Sequence, residues 1–288
     1  MRWVAFDRME RFMHEVFVAA GLPQGDAAVV TDVLLESDRR GIDSHGVGRL
    51  KSFYVDRIRD GIINPVTRID VVREGPTTAV LDANNGMGHV AGKYAMQMAI
   101  DKARELGLGM VAVRHSNHYG IAGYYTMMAA AQGMVGMTGT NARPSIAPTF
   151  GVENMLGTNP LTFAMPSDED FPFVFDSASS IAQRGKIEVY NRLGKPLPEG
   201  WVIGADGHSR TDADGVLRDL LTGQAALAPL GGIGEELGGH KGYGYATVVE
   251  ILSAALQGGS FLKALSGLQE DRKSVVVGKN VYIGGGPI

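Results

Sequence analysis

The sequence predicts an α/β protein with a helical N-terminal portion, and three observations indicate this. Apolar residues recur at three- and four-residue spacing through the first 70 residues, which is typical of amphipathic helices. From about residue 68, short apolar runs alternate with helical segments, as they do in α/β layers. The chain has 288 residues, of which 44% are hydrophobic, so it can bury a sizeable core in one large unit or two domains.

The spacing of apolar residues predicts individual elements. In the N-terminal portion it predicts helices that begin near Asp7 and Asp26 and a third helical segment around residues 47–58. Residues 193–218 are rich in turn residues, so we expect a long excursion over the surface there. The remaining predicted elements are strands at 78–81, 109–113, 135–139 and 173–176, and helices at 93–106, 121–132 and 244–256.

Composition excludes several classes of function. The net charge is −4, which argues against nucleic acid as a partner, because a phosphate binder needs a basic surplus. The chain has no cysteine, which excludes disulfides, thiolate metal sites and a cysteine nucleophile. No apolar run approaches the roughly 18 residues of a membrane span, and the N-terminus is charged where a signal peptide is apolar. We therefore expect a cytoplasmic protein without a membrane partner.

One glycine-rich turn resembles a dinucleotide fingerprint. Gly86, Gly88 and Ala91 match the G-x-G-x-x-A pattern, follow a predicted strand and open a predicted helix. However, the next strand ends in Arg114-His115-Ser116 instead of the acidic residue that holds the ribose. A Rossmann site here is the weaker alternative, and we expect no pyrophosphate on this turn.

The segment from Gly41 to Arg49 concentrates chemical groups. It offers the hydroxyl of Ser44, the imidazole of His45 and the guanidinium of Arg49, which together suit an acid and an anion clamp. An ordinary helix–helix connection, capped by Asp43 or Ser44, explains the pattern equally well. A serine hydrolase is disfavoured because no Gly-x-Ser-x-Gly elbow surrounds Ser44.

Two further segments suit anions. Asp176, Ser177 and Ala178 follow a predicted strand, where amides and hydroxyls can hold a phosphate, although a plain helix cap is as good an explanation. His240 and Lys241 lie in a glycine-rich turn that opens a helix, which suits an anion or is an ordinary turn. His115 and His118 share a spacing but have no accompanying carboxylates, so we expect no metal.

Four motifs in register resemble the malate/L-lactate dehydrogenase family, which is distinct from the Rossmann-type dehydrogenases and includes ureidoglycolate, sulfolactate and diketogulonate oxidoreductases. The resemblance runs from near residue 5 to about residue 259. It implies a mixed-sheet NAD(P)-binding portion of the family's own type, and a homodimer with active sites at the subunit contact. The motifs are Arg40-Gly41-Ile42-Asp43-Ser44-His45-Gly46, Ser116-Asn117-His118-Tyr119-Gly120, Leu156-Gly157-Thr158-Asn159-Pro160 and Gly238-Gly239-His240-Lys241-Gly242-Tyr243-Gly244.

The resemblance also implies an activity and a role for individual residues. It implies hydride transfer between NAD, or alternatively NADP, and a small 2-hydroxy or 2-oxo acid, with malate or lactate expected. His45 looks like the proton donor with Ser44 beside it, and His118 is the second candidate. Arg49 and Thr158 match substrate contacts. The positions that match the cofactor lining are His118, Tyr119, Gly120, Ile121, Ala122, Asp176, Ser177, Ala178, His240 and Lys241.

The C-terminal segment departs from the family. We expect a helical portion at 1–70, a cofactor- and substrate-binding portion at 71–259, and a divergent or truncated segment at 260–288. The family continues through a Gly-His-Phe-like strand and a closing helix, and no such strand is recognisable in this segment. The alternative function is therefore a catalytically inactive nucleotide-binding protein of the same fold.

Overall fold

The computed structural model describes residues 4–265 and a strand at 280–287. The chain separates into two compact units. Unit 1 holds the described residues of Met1–Thr138, Thr162–Asp176 and Gln269–Ile288, and unit 2 holds those of Gly139–Leu161 and Ser177–Leu268. Each unit has its own hydrophobic core.

Unit 1 begins with a helical subdomain. It consists of α1 (Phe6–Ala19), α2 (Gln24–Arg39), a 3₁₀ turn (Val47–Arg49), a π-helical turn (Leu50–Val55) and α3 (Asp56–Arg59). Apolar side chains spaced along α1 and α2, including Met13, Phe17, Val30 and Leu34, pack with Tyr54 into one buried cluster. This burial, and not intrinsic helix propensity, holds the short helices.

The rest of unit 1 is a seven-stranded mixed sheet covered by α4 (Gly88–Leu106) and α5 (Gly123–Ala130). Strand β1 is antiparallel to β2, β2 is parallel to β3, and β3 is antiparallel to β9. The order across the sheet is β1-β2-β3-β9-β4-β5-β6. The strands are β1 (Asp70–Glu74), β2 (Thr78–Asp82), β3 (Leu108–Arg114), β4 (Met134–Thr140), β5 (Leu161–Met165), β6 (Phe173–Ser177) and β9 (Asn280–Pro287).

The β2–α4–β3 crossover fixes the position of the loop that follows β3. Alanines and Met96 on one face of α4 pack on Leu81, Val111 and Val113 of the sheet. A Cβ on Gly88 would lie 2.1 Å from the backbone oxygen of Asn117, so α4 begins directly against the loop that carries His118. Only glycine permits this approach.

Unit 2 is built around α8 (Gly239–Ala255) and a small hairpin. Its core joins Ile146, Leu156, Val202, Leu227 and Ala246, with the hairpin strands antiparallel. Its other elements are α6 (Arg184–Arg192), β7 (Val202–Gly204), α7 (Ala213–Thr222), β8 (Ala225–Leu227) and a 3₁₀ turn (Leu262–Ala264).

The predicted α/β class and most of the predicted elements are confirmed, with one correction. The segment 193–218 is not a surface excursion, because β7 and the start of α7 lie in it and bury Val202, Ile203 and Val216. Short elements separated by turn residues give too little periodicity to be recognised. The segment 47–58 is helical as predicted, and 3₁₀ and π turns make up most of it.

The C-terminal segment does form a strand. Strand β9 is present at Asn280–Pro287 and lies between β3 and β4, although it carries no Gly-His-Phe motif. Three consecutive glycines hide it from a pattern search, since glycine is depleted in strands. The division at residues 70 and 259 stays a prediction.

No helix among the described residues is long and apolar enough to cross a membrane.

The contact at Gly88 leads to a test of stability. Gly88→Ala places a Cβ against a backbone oxygen, so we expect a loss of at least about 1–3 kcal/mol of unfolding free energy, the usual cost of overpacking. The control is Gly25→Ala in α2, where a Cβ meets nothing within 4 Å and should be neutral or stabilising. Urea denaturation of both variants measures this, and equal stability would contradict the packing role of Gly88.

Candidate active site

The loop that carries Ser44 and His45 is braced by the end of α2. Asp38 accepts a hydrogen bond from the Val47 amide at 2.8 Å, and Ser37 Oγ donates to the backbone oxygen of Ile42 at 2.7 Å. A Cβ on Gly46 would lie 1.8 Å from the Asp38 carboxylate, which explains the glycine of the Ser-His-Gly motif. The motif is therefore a rigid connection and not a flexible linker.

Within this loop the three predicted groups are joined. Ser44 Oγ and His45 Nδ1 lie at hydrogen-bond distance, 2.8 Å. Arg49 Nε donates to the Ser44 backbone oxygen at 2.6 Å, so its guanidinium is held next to the same residue. The His45 ring stacks on that of His118, with centroids 5.5 Å apart and planes inclined by 19°. The structure thus brings together both candidate acids and the predicted carboxylate-binding arginine.

His118 is held in one tautomer by two donors. The Tyr54 hydroxyl lies 2.6 Å from His118 Nδ1, and the Gly120 amide donates to the same nitrogen at 3.3 Å. An amide can only donate, so Nδ1 accepts and the ring proton sits on Nε2. Burial and the neighbouring charges of His45, His89, Arg57 and Arg49 hold the pKa of His118 well below its ordinary value. His118 is therefore a neutral N–H donor.

A third histidine, His89, completes the cluster. It is fully buried, its ring lies edge-on to Tyr54 at 5.0 Å, and neither ring nitrogen has a hydrogen-bond partner within the part of the chain that the structure describes. Burial alone lowers the pKa of His89 to about 3. No sequence pattern marks His89 as a site residue, because it occupies one of the variable positions of the Gly86–Ala91 pattern.

His45 is also neutral at pH 7. Burial, and next the charge of Arg49, lower its pKa to about 4. An ordinary histidine, with a pKa of about 6.5, would be partly protonated near neutrality, and in the folded chain His45 is not. An anion placed on Arg49 would offset part of this effect and raise the pKa again.

The segment after His118 meets Asp176 within unit 1. The Gly123 amide, at the start of α5, donates to Asp176 Oδ2 at 2.7 Å, and Thr162 Oγ1 donates to Oδ1 at 2.9 Å. Two predicted cofactor segments are thereby joined: Asp176 from β6, and residues Tyr119, Gly120, Ile121 and Ala122 immediately before α5. Asp176 as a whole residue is exposed, and its two carboxylate hydrogen bonds are partly buried.

In unit 2 the Leu-Gly-Thr-Asn-Pro motif is anchored to α8. Asn159, fully buried with a φ of 29°, donates from Nδ2 to the Ala246 backbone oxygen and to Glu250 Oε2, and accepts from the Ala142 amide. Ser179 donates to the backbone oxygen of Thr158. Thr158 is therefore held close to the segment that begins with Ser177 and Ala178.

His240 and Lys241 lie in the first turn of α8, which begins at Gly239, five residues earlier than predicted. Both side chains are exposed. This confirms that the glycine-rich turn opens a helix, where free amides and a lysine favour an anion.

The donors of unit 2 fit the phosphates of a nicotinamide dinucleotide. Ser180 Oγ and Arg184 Nη1 are buried and lack hydrogen-bond partners among the described residues, which is unusual for polar groups. They follow Ser177 and Ala178 in sequence, and with the first turn of α8 they form a donor-rich set suited to anionic oxygens. The Gly86 turn fits poorly, because Gly86 and Gly88 are buried against protein.

No group of three or more potential metal ligands occurs in residues 4–265 or the strand 280–287.

Comparisons with known proteins agree with this geometry. The family model described as malate/L-lactate dehydrogenase matches residues 4–282. The chain belongs to this family. A malate dehydrogenase of Pyrococcus horikoshii is 48% identical over 93% of this chain and 73% of its own length. An L-sulfolactate dehydrogenase of Methanocaldococcus jannaschii is 40% identical over 85% of this chain and 67% of its own length.

A solved structure shares the fold as well. The crystal structure of malate dehydrogenase from Entamoeba histolytica superimposes with a TM-score of 0.95 at 44% identity, covering 99% of this chain and 78% of that one. This member of the malate/L-lactate dehydrogenase family is an oxidoreductase of 2-hydroxy acids that uses a nicotinamide cofactor.

Sequence reasoning missed Tyr54, His89 and Asp38. Tyr54 lies in the predicted third helix, and the π turn that places it beside His118 has no recognised sequence pattern. π turns are uncommon and frequently occur at functional sites.

The buried histidines predict acid lability. Because the pKa of each is lowered in the folded state, the unfolded chain binds more protons below its ordinary value of about 6.5, and stability falls as pH drops below that point. Each contributes up to about 1.4 kcal/mol per pH unit. His89→Phe should reduce the slope of unfolding free energy against pH between about 6.5 and 4.

Urea denaturation at pH 7.5, 6 and 5 measures this slope. His89→Phe removes unpartnered polar atoms, so it should be neutral or stabilising at pH 7.5. The control His208→Phe alters an exposed ring and should keep the wild-type slope. A His89→Phe slope equal to the wild type would contradict the role given to this residue.

Proposed function

We propose that the protein reversibly oxidises malate, or a closely similar 2-hydroxy acid, with His45 as the proton-exchanging residue. The observation that carries the proposal is the hydrogen bonding of the two stacked imidazoles. Both donors of the cluster occupy His118 Nδ1, whereas His45 Nε2 has no hydrogen bond among the described residues. His45 is the ring that can give up and regain a proton at an accessible nitrogen.

His118 acts differently. To release its Nε2 proton it would need a proton on Nδ1, which Tyr54 would have to supply as it became a tyrosinate. Burial raises the pKa of Tyr54, so this transfer is unfavourable. A neutral Nε2–H can instead donate a hydrogen bond to the substrate oxygen and stabilise the charge that develops there.

Arg49 holds the substrate carboxylate beside His45, and Ser44 contributes a hydroxyl group there. Thr158 stays a predicted substrate contact. Arg49 already bonds to the Ser44 backbone, so its guanidinium is pre-oriented. Binding an anionic substrate there raises the pKa of His45 towards the range in which it protonates a carbonyl oxygen.

The nicotinamide supplies or accepts the hydride. In unit 1 the residues we assign to the cofactor are His118, Tyr119, Gly120, Ile121, Ala122 and Asp176. In unit 2 they are Ser177, Ala178, His240 and Lys241. We propose NAD with NADP as the alternative, since relatives named for each cofactor occur. Titrating the protein with NAD and, separately, with NADP while following the quenching of its fluorescence distinguishes the two cofactors.

His45→Gln tests the proposal. It keeps a polar side chain but removes the titrating group, so turnover should fall about a hundredfold or more while cofactor affinity changes little. For the wild type, the specificity constant in the direction of reduction should fall with rising pH between 5 and 8, because the pKa of free His45 is about 4. Oxidation of the 2-hydroxy acid requires neutral His45, so its specificity constant should not change between pH 5 and 8.

In His45→Gln the pH dependence of reduction should disappear. Tyr54→Phe provides the contrast: it frees His118 Nδ1 and should lower turnover while keeping the His45 pH dependence. If His45→Gln keeps normal turnover and pH dependence and His118→Gln loses both, the acid is His118.

The alternative is a catalytically inactive nucleotide-binding protein of the same fold. Both would bind the cofactor, but only the enzyme oxidises it with a 2-oxo acid. The names of the 48% and 49% identical relatives favour activity with malate. Steady-state rates with oxaloacetate and pyruvate separate malate from lactate as substrate.

We further propose a cytoplasmic homodimer. Phe6 and Phe12 of α1 and Val4 before it are about half exposed, although the opposite face of α1 is buried in the core. A stable dimer interface of about 2,000 Å² or more would cover such residues. Light scattering of the wild type should give twice the mass of one chain. Phe12→Glu should lower this mass to that of a monomer. An active wild-type monomer would contradict the proposed dimer.

A further inference from the structure

Arg57 is a half-buried cation beside the histidine cluster. Its guanidinium carbon lies 4.6 Å from the centroid of the Phe53 ring, and that ring lies edge-on to His118 at 5.2 Å. The backbone oxygen of Arg57 accepts bonds from the Ile62 and Ile63 amides, which holds the backbone of this part of α3. The side chain itself is placed by its contact with the Phe53 ring.

No carboxylate pairs with Arg57 within the described residues. Its neighbour Asp56 instead binds Lys51 at 2.8 Å. A guanidinium stacked on an aromatic face keeps its N–H donors pointing outward from the stack, so these donors remain available. A partly buried charge without a counterion is costly, and an anionic ligand would remove the cost.

Arg49 approaches the same aromatic ring. Its guanidinium carbon lies 5.0 Å from the Phe53 centroid, so the two guanidinium carbons are within about 10 Å of each other. Both charges depress the pKa of His118, which shows that both act on the same cluster. The carboxyl carbons of a four-carbon diacid are about 4 Å apart, given C–C bonds near 1.5 Å. Two arginines at this separation can each hold one end of such a molecule.

We propose that Arg57 binds a second acidic group of the substrate, so that the site selects 2-hydroxy and 2-oxo acids carrying a carboxylate or sulfonate at the far end over monoacids. This rests on the proposed function, in which Arg49 holds the carboxylate next to the reacting carbon. Both cations lie against the Phe53 ring, within 5.0 Å of its centroid. Arg57 is thereby a specificity-determining residue, and malate-type substrates are favoured over lactate.

The test compares substrates that differ only in the second acidic group. Arg57→Met keeps an apolar side chain against Phe53 but removes the charge, and Arg57→Lys restores a charge without the planar fork. The matched control is Arg59→Gln, which removes an equal charge from an exposed position on the same helix. The specificity constant kcat/KM is measured for oxaloacetate and for pyruvate in all variants.

We expect Arg57→Met to lower the oxaloacetate-to-pyruvate ratio of specificity constants ten- to a hundredfold, the range of a hydrogen bond to a charged group. Arg57→Lys should recover part of it, and Arg59→Gln should leave it unchanged. An unchanged ratio in Arg57→Met overturns the proposal. So does an equal loss in Arg59→Gln, which would indicate a long-range charge effect.

Ligand binding gives a readout that does not require activity. Succinate carries two carboxylates and butyrate one, so succinate should raise the melting temperature of the wild type more than butyrate does. Arg57→Met should abolish that difference. If the wild type reduces no 2-oxo acid, the proposed activity is wrong, and the succinate–butyrate difference then decides separately whether Arg57 binds an anion. Equal shifts with both ligands in the wild type overturn its role.

Discussion

Three imidazoles and a tyrosine hydroxyl are packed together away from water, and the constraint that governs the site is how their protons are shared. Tyr54 and the Gly120 amide both bind His118 Nδ1, so that ring is fixed as a neutral donor. His89 has no partner among the described residues and stays uncharged. The neighbouring charges are arginines, of which Arg49 depresses the pKa of His45 further. The cluster is therefore neutral until an anion arrives.

This constraint links substrate binding to proton transfer. In the proposed function, a carboxylate on Arg49 offsets the positive charge next to His45 and raises the pKa of His45 when the substrate is present. The scaffold that makes this possible is rigid: Asp38 and Ser37 brace the Ser-His-Gly loop, and Gly88 lets α4 begin against the loop of His118. Burial of the two apolar clusters of unit 1, one around α4 and one around α1 and α2, stabilises these close contacts.

Fold and site are recoverable from the sequence to different extents. The helices α1 and α2, the crossover β2–α4–β3 and the four motifs are readable because each is a contiguous pattern with a regular period or fixed spacing. The π turn at Leu50–Val55, the strand β9 and the elements within 193–218 are not readable, since they depend on pairing with distant residues. Glycine-rich β9 takes its hydrogen bonds from β3.

By itself, the sequence determined that the chain is an α/β member of its family and which loop residues carry reactive groups, because residue identity and local spacing are sequence properties. Only the tertiary structure decided how those groups differ. The protonation of His45 and His118 depends on burial, on Arg49 and Arg57, and on a hydrogen bond from a tyrosine 64 residues away in the chain. Desolvation and Coulomb interaction depend on distance in space, which the order of residues does not contain.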